Sequence, residues 1–73
     1  MRRIGEKEMK YKIEIWQWRS IIETYESDDI TDVLDWYRNN WRGCYECGNC
    51  SFTVYEYGRE LSFEEEFELG FYE

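Results

Sequence analysis

The residues best suited to chemistry are Cys44, Cys47 and Cys50, spaced C-x2-C-x2-C in a segment that also holds Gly43 and Gly48. Thiolates at this spacing can converge on a soft metal. Structural zinc takes four ligands, and the chain has no fourth Cys and no His. A carboxylate such as Glu46 would have to complete the set, and an iron–sulfur spacing would need Cys where Val54 stands. Zinc is thus the one cofactor these residues raise, through Cys44, Cys47 and Cys50; otherwise no cofactor is expected. Three is an odd number, and it fits unpaired thiols in a reducing compartment better than a disulfide scaffold.

The missing His also removes the Ser-His-Asp triad, the Cys-His pair and the imidazole pH switch. Paired carboxylates can act as general acid and base. Here they are many and evenly spaced, which suits a solvated face, and no phosphate-cradling Gly loop or nucleophile elbow accompanies them. We read the chain as non-enzymatic.

The acids themselves carry the functional signal. The 73 residues include 17 Asp and Glu against 9 Lys and Arg, a net charge of −8. The distribution is uneven. Residues 1–12 hold five bases against two acids, and residues 13–73 hold four bases against fifteen acids. Such a balance argues against direct binding of nucleic acid, which needs cations to displace counterions. It is not a mark of disorder, because 4 Trp, 7 Tyr and 4 Phe make the chain 21% aromatic. No apolar leader core follows Met1-Arg2-Arg3-Ile4-Gly5, and no run approaches the roughly 18 apolar residues of a membrane span. We expect no membrane partner and a cytoplasmic location.

The elements that must place these groups fit one small domain. Residues 1–8 read as a basic arm and residues 9–73 as the domain. Met9, Tyr11, Ile13 and Ile15 alternate with Lys10, Lys12 and Glu14, the period of a half-buried strand. The parity flips at Trp16 and Trp18, as a bulge would cause. Residues 18–25 fit either a strand or a helix, and we prefer the strand. Ser27-Asp28-Asp29 opens a helix whose stripe is Ile30, Val33, Leu34, Tyr37 and Trp41, with Asp28, Asp32, Asp35 and Asn39 opposite. Residues 43–50 read as a loop and 51–57 as a strand. In the last segment Leu61, Phe63, Phe67, Leu69 and Phe71 share one parity, and Glu60, Glu64, Glu66 and Glu68 the other. We read it as a strand closing a hairpin on 51–57; a short helix opened by the capping box Ser62-Phe63-Glu64-Glu65 is the rival. The expected fold class is α+β in the order β-β-α-β-β, one helix on a short antiparallel sheet. Leu34, Tyr37 and Trp41 would meet the Phe63, Phe67 and Leu69 face.

The rows Asp28-Asp29-Asp32-Asp35 and Glu64-Glu65-Glu66-Glu68 give the chain a resemblance in type to small acidic phage-encoded proteins that shut down host machinery. Several of these are nucleic-acid mimics, such as inhibitors of uracil-DNA glycosylase and of the HU nucleoid protein. The resemblance implies a basic, nucleic-acid-binding host protein as partner and the host cytoplasm as location. The candidate partner-binding residues are Asp28, Asp29, Asp32, Asp35, Glu64, Glu66 and Glu68, with Tyr55 and Tyr57 for short-range contact. Trp16, Trp18, Tyr55 and Tyr57 lie out of phase with their strands' apolar residues, which leaves a homodimer through exposed aromatics as a further reading.

Overall fold

The computed structural model describes residues 9–72. Both the expected basic arm, residues 1–8, and Glu73 lie outside them. Strand β1 (Tyr11–Gln17) turns through Trp18 and Arg19 into β2 (Ser20–Ser27). The chain then forms α1 (Ile30–Asn40) and a short α2 (Arg42–Glu46), and returns as β3 (Ser51–Glu56). Tyr57 and Gly58 turn it into β4 (Arg59–Glu60), and α3 (Phe63–Leu69) ends the order. The sheet runs β2-β1-β3-β4, with every neighbouring pair antiparallel.

The alternation in β1 does what its period requires. Tyr11, Ile13 and Ile15 are buried on one face of the sheet, where Val54 and Phe52 of β3 stand opposite Ile13 and Ile15. A register shift lies beside Trp16, but the bulge is on the partner strand and β1 keeps its alternation against β3. Ile15 pairs with Glu23 and Trp16 with Ile21, so Ile22 is the extra residue, on β2.

Helix α1 starts where the acids predict. Asp29 is its N-cap and accepts from the Thr31 amide at 2.9 Å. Its stripe puts Val33, Leu34 and Tyr37 into the core with Ile13, Ile15, Val54, Leu61 and Phe71. All ten core residues lie between the sheet and the helices, which gives the two layers of an α+β domain.

Two expectations are corrected. Residues 43–50 are not all loop, since α2 occupies the first part. The last segment forms a helix, Phe63–Leu69, in place of the expected strand, and β4 spans only two residues. The helical signals are local and reinforce one another. Ser62 accepts from the Glu65 amide at 3.2 Å, and Glu65 accepts from the Ser62 amide at 2.9 Å. Gly70 then takes φ +104, a left-handed angle that costs glycine little, and lets the Phe71 amide reach Glu66 O at 3.2 Å. The element order is β-β-α-α-β-β-α, not the expected β-β-α-β-β. Phe71, not Phe63 or Phe67, packs against Tyr37, at 5.7 Å between ring centroids. Phe63 and Phe67 face outward.

Candidate functional site

The cysteines do not form a three-thiolate site. Helix α2 ends in a reversal in which the Gly48 amide donates to Tyr45 O and the Asn49 amide to Cys44 O. The reversal carries Cys50 back beside Cys44, with 5.6 Å between their Cα atoms, and the two form a disulfide. Cys47 is left as an exposed free thiol. The zinc reading is corrected on this point, because a disulfide sulfur is not a thiolate and supplies no anionic ligand. Among the described residues no group of three Cys, Asp or Glu is placed to hold a metal. The expectation of unpaired thiols is corrected for Cys44 and Cys50 and holds for Cys47.

The nine predicted contact residues fall into three places. The first is the outer side of α1, where Asp28, Asp29, Asp32 and Asp35 are all exposed. Two of these also hold the chain. Asp28 accepts from the Lys10 amide at 2.8 Å, and Asp29 caps the helix. Asp32 accepts from the Tyr25 hydroxyl at 2.8 Å, and the Tyr25 ring lies flat on Trp36, 4.9 Å between centroids. That hydrogen bond to a carboxylate also holds the Tyr25 phenol protonated to higher pH than usual. Neighbouring β2 adds exposed Glu23, which the register turns toward the side of the sheet that α1 covers. Sequence reasoning passed over Glu23 because β2 was read only for its apolar residues.

The second place is α3. Glu64 and Glu68 are exposed one turn apart. Glu66 is not on the surface: it is only 6% exposed and accepts from the Tyr72 hydroxyl at 3.0 Å. Its place in an acidic surface row is corrected, since a helix turns it inward. Burial pushes its carboxyl pKa up, against the opposing pull of the Tyr72 hydrogen bond. Glu65 is bound differently. Arg59 donates to both of its oxygens, at 3.2 and 2.9 Å, and with the Ser62 amide holds its pKa down at about 2.

The third place is the sheet face away from the helices. Tyr55 is half-buried there, and its hydroxyl donates to Glu14 at 3.1 Å. Burial, then this bond, raises the Tyr55 pKa. Lys12 pairs with Glu14 at 3.3 Å and stands over the Tyr55 ring. Trp16 shares this face, whereas Trp18 at the β1–β2 turn is 94% exposed. Tyr57 is exposed in the β3–β4 turn with φ +52.

The three places are not one surface. The Arg38 guanidinium donates to Gly70 O at 3.1 Å, so a cation bridges α1 and the end of α3. Some of the acids lack counter-charges among the described residues. Lys10, Lys12 and Arg59 pair with Glu56, Glu14 and Glu65, whereas Glu23, Asp32, Asp35, Glu64 and Glu68 have no ion pair among the described residues. Among the described residues no helix is long and apolar enough to cross a membrane. No family model, curated protein or solved structure matches the chain.

Proposed function

We propose that the protein is a non-enzymatic inhibitor that engages a basic, nucleic-acid-binding host protein through an acidic, DNA-mimicking surface. The observation that carries this reading is the α1 rim. Glu23, Asp32 and Asp35 are exposed, lack ion pairs among the described residues, and sit on a strand and a helix that pack together. Asp32 is further held in place by Tyr25.

Charge and length support the same reading. Residues 9–72 hold fourteen acids and six bases. These residues span 43 Å along the longest axis. A duplex of that length carries about 25 phosphates, roughly half of them on one side. The excess negative charge summed over all faces is of the same order, and the share of it on the α1 rim would draw a cationic groove across a Debye length of about 8 Å.

The test is capture of partners from lysate on the immobilised protein, in low salt and in about 0.5 M salt, with a short DNA duplex as competitor. The expected partner is basic, leaves in the high salt and is displaced by the duplex. Replacing Glu23, Asp32 and Asp35 by Gln, Asn and Asn should weaken capture. A partner that survives the salt step, or that the duplex does not displace, overturns the proposal.

A further inference from the structure

Two phenylalanines stand in the open on α3. Phe63 and Phe67 are 62% and 60% exposed, in a protein whose core is otherwise small. They are four residues apart on one helix, with ring centroids 6.3 Å apart. Their positions are well supported from beneath. Phe63 packs on Tyr72 at 4.7 Å, and Tyr72 packs on Phe52 at 5.5 Å. The capping box and Gly70 hold the two ends of the helix. With Glu64 and Glu68 the rings line a shallow groove of about 370 Å³. The rings together leave roughly 200 Å² of aromatic surface in water.

We infer that this face of α3 docks a basic amphipathic helix, whose apolar stripe covers Phe63 and Phe67 and whose Lys or Arg side chains meet Glu64 and Glu68. The inference rests on the proposal of a basic partner and adds a second contact surface, apart from the α1 rim. Charge selects this occupant. Glu64 and Glu68 flank the rings and have no ion pair among the described residues. A second copy of the same face would set these carboxylates against their own kind. Shape agrees, because the rows Phe63–Phe67 and Glu64–Glu68 are parallel i,i+4 ridges, which interdigitate with those of another helix at 8–10 Å between axes. Aromatic residues are also enriched at the centres of interfaces, inside a polar rim.

The probe is a synthetic Leu/Lys amphipathic helix of about 14 residues, with a Leu/Glu peptide of the same pattern as control. Binding is followed by titration calorimetry, and the contact surface by amide chemical shifts. The expected result is binding of the Lys peptide alone, with shifts centred on residues 63–68. F63A/F67A should weaken it by about tenfold or more. E64Q/E68Q should weaken it by about threefold and flatten its salt dependence. D32N/D35N should leave it within about twofold. Circular dichroism checks that each variant is folded, and E64Q/E68Q keeps the test open should the double Ala variant unfold. Unchanged affinity in folded F63A/F67A, equal binding of the Glu peptide, or shifts centred on α1 overturns the inference. So does a solution dimer that F63A/F67A dissolves, because the occupant is then a second copy. Loss of binding in D32N/D35N with none in F63A/F67A refutes the α3 surface and leaves the α1 rim standing; the rim itself fails separately, if replacing Glu23, Asp32 and Asp35 leaves capture of the basic partner unchanged.

Discussion

Removing the Cys44–Cys50 bond should lower stability by an amount set by the loop it closes. The two residues are six apart in sequence, so the bond closes a ring of about seven residues. The chain entropy withheld from the unfolded state by such a loop is worth about 2 kcal/mol. In a domain of this size that corresponds to a fall in Tm of about 10–15 °C. The fold should survive at 25 °C. The Gly48 and Asn49 amides still close the reversal, and Tyr45 still packs on Phe52 at 5.3 Å and on Tyr72 at 6.0 Å. The assay is thermal unfolding followed by circular dichroism, with and without a phosphine reductant. It is best run in C47S, because Cys47 lies one helical turn from Cys44 and could exchange with the bond. C47S alone should shift stability by less than about 0.5 kcal/mol, since the side chain is exposed. A fall in Tm of less than about 3 °C on reduction would refute the entropy argument. It would mean that the helical turn alone keeps the two sulfurs together in the unfolded chain.

Two further changes test the turns and the carboxylates. Tyr57 holds φ +52 and Gly58 φ +82, a two-residue hairpin turn that favours Asn-Gly. Y57N should raise the urea midpoint by the equivalent of about 1 kcal/mol, and an unchanged or lower midpoint would show that the exposed ring contributes more than the backbone conformation costs. Acid should act through Glu65 and Glu66 in opposite senses. The folded pKa of Glu65 is depressed, to about 2 against an ordinary 4.5, so its contribution is present above pH 4.5 and is lost as pH falls toward 2. Burial raises the folded pKa of Glu66, so its ionisation costs stability as pH rises above 4.5. Urea midpoints against pH should therefore lose acid sensitivity in R59A, and E66Q should remove part of the decline above pH 4.5. Profiles parallel to that of the unmodified protein would count against both assignments.

Whether an element could be read in advance depended on whether its local signals agreed. In β1 the alternation and the branched residues pointed to one strand, and the structure has it, without the parity flip expected at Trp16. At α1 the cap acids and the apolar stripe coincided, so the helix and its outward Asp32 and Asp35 were legible together. The last segment carried two periods at once. Leu61, Phe63, Phe67, Leu69 and Phe71 alternate as a strand would, while Ser62, Glu65 and Gly70 mark the ends of a helix. Hydrophobicity misled there because two of its five apolar residues do not enter the core. Cys44 and Cys50 were illegible for another reason: their pairing needs the reversal at Gly48, and an odd cysteine count says nothing about which two meet.

One change of period accounts for both the failed and the new part of the candidate site. A strand aligns Glu64, Glu66 and Glu68 on one face. A helix advances about 100° per residue, so Glu68 comes back within about 40° of Glu64, while Glu66 lies about 160° away on the far side. The same rotation puts Phe63 and Phe67 within about 40° of each other, beside the two glutamates that stay outside. The acidic row that disappears and the aromatic pair that emerges are therefore one geometric fact. A binding role for α3 follows from the helix and would be lost with it: S62P, which deletes the amide that Glu65 accepts from, should weaken the Lys-peptide complex in step with the helical signal of residues 63–69.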